Sequence, residues 1–429
     1  MKIFISTLGC KVNQYESQAI LEMFIKAGFE KALGPKSADV LIINSCTVTE
    51  ESNKKVRKML HKYRRVNPKA IIVLTGCMVQ AFPEKVKYLS QADIIAGNIG
   101  KESILEKVKD YLENPQKIID IKPYKNGCTF ENLTIQSFND RTRAFLKIED
   151  GCDRFCSYCI IPFARGRVRS KTLENIKKEI EALTENSYQE IVLVGINLSS
   201  YGQDLNVNIC NAIELVSSYS AIKRIRLGSL EPEKMELEVV KRLAKIEKLC
   251  PQFHISLQSG CNETLKRMNR NYTVSDYEEI VKNLRAYFKN AAITTDIMVG
   301  FAGETDEEFE KTLDFVKKIK FAKIHVFPYS IRPGTKAAEF KNQVAPEVKN
   351  ERIKKMLHFA AQLNREFLKE QIGNIDEVLF ERRHGRDFFE GYTKNYVPVL
   401  VKTQEDLSAK ILKVKLTEAN DKYCLGELL

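Results

Sequence analysis

Three cysteines stand close together in the string GCDRFCSYC, where Cys152, Cys156 and Cys159 are spaced C-x-x-x-C-x-x-C. Three thiolates on one tight loop can hold three irons of a cubane cluster and leave the fourth iron open to a ligand that is not protein. A structural zinc ion normally takes four protein ligands, and no fourth Cys or His lies nearby in the string, so zinc is the weaker reading. Three further cysteines are spread out: Cys10 in STLGCKVNQYES, Cys46 in INSCTV and Cys77 in TGCMVQ. Each follows an apolar run of strand length. Neighbouring strands of an open parallel sheet end on one edge, so these thiolates can converge there. The alternative is three unrelated buried cysteines, because free Cys is among the most buried residue types. Cys128, Cys210, Cys250, Cys261 and Cys424 lack such placement and read as structural.

The surrounding pattern supplies elements of the right kind to position both sets. Strand-like runs at Lys2–Ser6, Val40–Ile43, Ala70–Leu74 and Asp93–Ala96 alternate with helical patterns, which predicts a small parallel α/β domain. An irregular polar stretch from Asn114 to about Asp140 reads as a crossing linker. Six strand candidates follow: Ala144–Ile148, Ile191–Val194, Arg224–Leu227, Phe253–Leu257, Ile293–Val299 and Lys323–Phe327, mostly with helices between them, as in a full or partial barrel. A long amphipathic helix runs from Pro346 to about Gly373, with Met356, Phe359, Leu363 and Phe367 at helical spacing. Short alternating runs from Asp376 onward suit a small antiparallel barrel. The expected class is α/β, with domains at 1–125, 138–368 and 369–429.

The chain of 429 residues carries a formal net charge of +12, which favours a polyanionic partner. No run of 18 apolar residues and no signal-peptide pattern is present, so a cytoplasmic protein without a membrane span is expected. In a reducing cytosol, 11 cysteines point to metal ligation rather than to disulfides.

The loop holding Cys152, Cys156 and Cys159 resembles the signature of the radical S-adenosylmethionine superfamily. Further motifs extend the likeness along the chain: PFARGRVRS from Pro162, VGINLSSYG from Val194, RLGSLEP from Arg226, HISLQSGCNETLKRMNRNYT from His254, DIMVGFAGET from Asp296 and PYSIRPGT from Pro328. With the N-terminal three-cysteine domain, their order resembles the methylthiotransferases. The final segment, with EGYTKNYVPV, resembles that family's TRAM domain, a β-barrel associated with RNA binding. The text LGCKVNQYES is most similar to the branch acting on threonylcarbamoyl-adenosine, whereas the isopentenyl branch reads closer to GCQMN there.

The resemblance implies two 4Fe-4S clusters, one on Cys152, Cys156 and Cys159 and one on Cys10, Cys46 and Cys77, with S-adenosylmethionine as cosubstrate. The implied reaction replaces the hydrogen at carbon 2 of the adenine at tRNA position 37 by a methylthio group. An anticodon stem-loop, an electron-donor protein and action as a monomer belong to the same expectation. Asn197, Ser229, Glu231, Gln258 and Asp296 are the polar groups at strand ends where a barrel binds its cofactor, or else turn caps and supporting hydrogen bonds. Two basic strips could meet RNA phosphates: Lys54, Lys55, Arg57, Lys58, Lys62, Arg64 and Arg65, then Arg165, Arg167 and Arg169. Their plainer reading is solvated surface. Competing functions are the same chemistry on isopentenyl-adenosine or on a ribosomal-protein aspartate, and a non-catalytic iron–sulfur RNA-binding protein.

Overall fold

The computed structural model describes every residue except 126, 139 and 140, so the end of the expected linker at Asp140 lies outside the described residues. Residues 2–120 form a six-stranded sheet in the order Glu30–Lys31, Lys2–Thr7, Val40–Ser45, Ile71–Gly76, Ile94–Ala96 and Ile118–Asp120. Every neighbouring pair is parallel. The two central strands are buried along their whole length, because helices cover both faces of the sheet. Ile20, Phe24, Ile104 and Val108 from the helices Lys11–Lys26 and Ile104–Glu113 pack on one face. Val56, Leu60 and Tyr63 from the helix Glu50–Val66 pack on the other. That helix starts at Glu50, because the Thr49 side chain caps it by accepting from the Ser52 amide.

The stretch expected to be linker from Asn114 contributes the edge strand Ile118–Asp120. Three residues show too little alternation to be read as a strand. Farther along, Leu133, Ile135 and Phe138 are buried in the core of the next domain, so this crossing segment is packed against it.

Six parallel strand positions make the second domain: Ala144–Lys147, Glu190–Val194, Arg224–Leu227 continuing as Ser229–Leu230, Gln252–Ile255, Ala292–Val299 and Lys323–Pro328. The sheet divides at Gly228 into three-stranded and four-stranded parts. This is a partial (β/α)6 barrel. One face of each strand packs on the helices, while Phe145, Val192, Arg226, His254, Thr294 and His325 line the lumen.

The helix Pro346–Lys369 leads into a closed barrel ordered Ile375–His384, Phe388–Tyr392, Pro398–Lys402, Cys424–Leu428 and Ile411–Ala419. The expected all-antiparallel arrangement is corrected at one place: Pro398–Lys402 and Cys424–Leu428 pair in parallel. An odd ring of five strands cannot alternate direction all the way round. This barrel closes the amino-terminal end of the larger one. Arg224 donates to the Tyr392 carbonyl (3.0 Å), and Arg226 donates to the Thr393 and Lys394 carbonyls (2.7 and 2.8 Å) and to Glu190 (2.6 Å).

Candidate active site between two cysteine triads

Cys10, Cys46 and Cys77 follow three adjacent strands of the N-terminal sheet, so all three sit on its carboxyl edge. Tight backbone turns place two of them. Gly9 has φ +115° before Cys10, and Gly76 has φ +100° before Cys77. A Cβ at Gly76 would lie 2.5 Å from the backbone of Ser45. The thiols are close enough to act on one another. Burial and the neighbouring Cys77 raise the pKa of Cys46, and burial raises Cys10 against the pull of Arg165. Arg165 Nε donates to Cys77 Sγ at 3.3 Å, and Asn98 Nδ2 lies 3.7 Å from the same sulfur.

The second triad lies in the connection between the paired strands Glu149–Asp150 and Arg169–Ser170. Gly151 has φ +87°, and a Cβ there would overlap the Arg167 carbonyl. Phe155 takes φ +46°, and Asn269 Nδ2 holds its carbonyl at 3.0 Å. Ser157 anchors the loop to the carbonyls of Met268 (3.0 Å) and Arg267 (2.8 Å). Burial pushes the Cys152 thiol up to about 12 and raises Cys159 further, with Cys156 adding to both. Arg270 Nη1 donates to Cys156 Sγ at 3.3 Å, and Asn197 Nδ2 lies 3.8 Å from Cys152 Sγ.

One buried network joins the triads. Arg165 is fully buried, and besides Cys77 it reaches Asn13 (2.6 Å), Glu16 (2.7 Å) and both oxygens of Asp150 (3.1 Å). Asp150 in turn accepts from the Gly151 amide (2.8 Å), one residue before Cys152. Lys101 and Lys147 also bind Glu16, and Lys147 binds Asp150. These cations hold the carboxyls of Glu16 and Asp150 well below their ordinary pKa, despite burial.

Comparison with known proteins places this geometry. Residues 146–316 match the Radical SAM superfamily and residues 2–97 match the Uncharacterized protein family UPF0004. The chain is 39% identical, over 99% of its length and 95% of the relative's, to the threonylcarbamoyladenosine tRNA methylthiotransferase MtaB of Bacillus subtilis (strain 168). It is 34% identical, over 100% of its length and 97% of the relative's, to the tRNA-2-methylthio-N(6)-dimethylallyladenosine synthase of Pelotomaculum thermopropionicum. The chain belongs to the radical S-adenosylmethionine tRNA methylthiotransferases. Among solved structures it is similar to the radical S-adenosylmethionine methyltransferase TsrM of Kitasatospora setae, at TM-score 0.59 and 14% identity over 78% of this chain and 73% of that one, which shows the shared fold.

As a methylthiotransferase it is a transferase that uses S-adenosylmethionine and 4Fe-4S clusters. Both triads fit such a cluster on chemical grounds. Each offers three thiols, and in each an arginine and an asparagine present N–H groups to sulfur, an arrangement suited to thiolates of an anionic cluster. Among the described residues no three His, Cys, Asp or Glu side chains are close enough to hold a single metal ion. A cubane instead spreads its thiolates over separate irons.

Of the expected cofactor contacts, Asn197 and Glu231 come next to the Cys152 loop. Asn197 Oδ1 is buried with no partner among the described residues, which leaves an acceptor for a ligand. Glu231 is paired with Arg270, whose position in the NRNYT text gave no separate signal. Ser229 is exposed in the lumen, and Asp296 faces His254 Nε2 at 3.3 Å. Gln258 takes φ +67° and bridges the backbone of Asp296 and Met298 (2.9 Å each).

The structure corrects the basic strips. Arg165 is committed to the interior network rather than facing solvent. Arg169 is 7% exposed, bonded to the carbonyls of Arg165 and Arg167, and stacked on Tyr124, so it too is unavailable to phosphate. Arg64 is tied to Asp93 and to the carbonyls of Pro68, Ala70 and Gln91. Arg167 remains exposed, over the ring of the exposed Phe155. Lys54, Lys55, Arg57, Lys58, Lys62 and Arg65 lie on the open face of their helix. Among the described residues no helix is long and apolar enough to cross a membrane.

Proposed function

We propose that this enzyme adds a methylthio group to carbon 2 of N-threonylcarbamoyl-adenosine at position 37 of tRNA, with clusters on the two cysteine triads. The observation that carries the reading is the single buried link from Cys77 through Arg165 and Asp150 to the Cys152 loop. Sulfur insertion at a carbon that is inert to ordinary nucleophiles needs a radical source and a sulfur source facing one base. When bound, the clusters and S-adenosylmethionine supply that one-electron chemistry and the sulfur.

The protein's part is position and exclusion. Arg165 fixes the Cys77 sulfur relative to the loop that starts at Gly151. Arg270 holds the Cys156 sulfur while its ion pair with Glu231 anchors the guanidinium. Tyr158 packs edge-on against Phe301, which contacts Tyr329 and Phe340, so the cysteine loop rests on an aromatic layer that keeps water away. Asn197 offers its unpaired Oδ1 to a donor on the cosubstrate. Delivery of the electron by a donor protein, action as a monomer and a cytoplasmic location complete the reading.

The test is an anaerobic assay of the iron-reconstituted enzyme with anticodon stem-loops carrying threonylcarbamoyl-adenosine or isopentenyl-adenosine. The expected product is the methylthio derivative of the first. Exclusive modification of the second overturns the assigned branch, and absence of 5′-deoxyadenosine overturns the chemistry.

A further inference from the structure

The barrel lumen encloses a cavity of about 810 Å³, enough for a modified nucleoside. All three parts of the chain wall it: Lys11 from the first helix, Arg143 just before the first strand of the partial barrel and Lys323 at the start of its last, and Arg382 from the C-terminal barrel. Its lining holds six Lys or Arg side chains and a single acidic one, Glu381.

Most of these cations already have partners. Arg143 pairs with Glu190 and Glu381, and Arg382 pairs with Glu390. The side chains of Lys11 and Lys323 make no hydrogen bond or ion pair among the described residues. The place of Lys11 is also electrostatically unfavourable. It is the first residue of the helix Lys11–Lys26, whose first turn carries no acid, so its charge opposes the helix dipole. An exposed, unpaired ammonium on the wall of a basic cavity, held where it weakens its own helix, is open to an anion from outside the protein.

The shape of adenine places the anion. Carbon 2 and carbon 6 flank N1 of the six-membered ring, so the bond to the N6 substituent diverges from the bond at carbon 2. With carbon 2 turned to the triads at the carboxyl ends of the strands, a substituent directed away from them enters the lumen. Lys323 opens its strand there, and the Lys11 side chain reaches in from beside Cys10. Taking the function proposed above as given, we infer that Lys11 and Lys323 bind the carboxylate of the N6-threonylcarbamoyl group and set the choice of substrate. A dimethylallyl group in the same place would leave both ammonium groups without a counter-charge.

The experiment compares three stem-loops on the anaerobically reconstituted holoenzyme: threonylcarbamoyl-adenosine, its neutral threoninamide analogue and isopentenyl-adenosine. Affinity is read by fluorescence anisotropy and turnover by nucleoside mass spectrometry. The wild type is expected to prefer the acid over the amide by roughly 10- to 100-fold, the range of a charge-assisted hydrogen bond. In K11Q, and separately in K323Q, that ratio falls toward one while iron content stays at the wild-type value. K323Q guards against a disturbance of Cys10, since Lys323 lies on the last strand of the partial barrel, outside both cysteine loops. An acid-to-amide ratio that survives both substitutions, or a loss of affinity equal for both RNAs, overturns the inference and leaves the proposed function standing. A wild type that modifies isopentenyl-adenosine alone overturns both.

Discussion

Arg165 shows how one side chain can carry two domains and two triads at once. A guanidinium is planar and permanently charged, so it can hold Glu16, Asp150 and a sulfur simultaneously in fixed directions, which a lysine cannot. Its network has three buried cations around Glu16, and removing that carboxylate strands them. Glu16→Gln is therefore expected to cost about 3–5 kcal/mol, measured as a fall in midpoint on thermal or denaturant unfolding. The pH dependence has a definite sign. The Glu16 carboxyl is held below its ordinary value of 4.5, so the folded state binds fewer protons than the unfolded chain near that pH. Its contribution is complete above about pH 4.5 and is lost as the pH falls further. Wild-type stability should drop steeply on acidification there, and the Gln variant should show a shallower slope. In the sequence, Arg165 looked like one of a row of surface arginines, because PFARGRVRS has no period that separates an inward residue from an outward one. Cys152, Cys156 and Cys159 were legible because their spacing alone confines them to one loop.

At the scale of elements, both triads depend on glycines that let a strand end turn sharply. Gly151 and Gly76 have positive φ, and in each case a Cβ would collide with backbone, which cannot move aside as a flexible side chain can. Gly151→Ala should displace Cys152 and leave about four irons per chain, where the intact protein should hold about eight. Gly76→Ala should likewise halve the iron, yet retain the capacity to cleave S-adenosylmethionine. Iron analysis together with 5′-deoxyadenosine release separates the two, and full iron in either variant would refute the dependence. Strands with long apolar runs, such as Val40–Ser45 and Ile71–Gly76, were readable because full burial demands such runs. The edge strand Ile118–Asp120 was not, since three residues paired on one side carry almost no pattern. The break at Gly228 also left no trace beyond a glycine.

For the whole molecule, the sequence showed three kinds of domain but not how they meet. The joints include long-range contacts such as Arg143 to Glu381, Tyr15 to Glu179 (2.6 Å) and Arg226 to the Thr393 carbonyl, and none of these has a local signature. The assembled shape puts the basic helix Glu50–Val66 beside the barrel mouth. Arg332, just after the last barrel strand, binds Thr47 and Glu50 at the start of that helix (3.0 and 2.9 Å). The exposed Lys54, Lys55 and Lys58 continue from that joint along the helix, on a face that can follow the phosphates of a stem. Binding through such contacts releases counterions, so its strength falls with salt in proportion to the number of phosphates neutralised. Replacing these three lysines together by glutamine should make the slope of log K against log salt shallower by about 2–3 for an anticodon stem-loop. The thermal midpoint should hardly move, because exposed substitutions of this kind usually change stability by less than about 0.5 kcal/mol each. A slope equal to that of the wild type would mean that the stem runs over another face. Arg167 and Phe155, stacked and exposed beside the Cys152 loop, would then be the next contacts to remove.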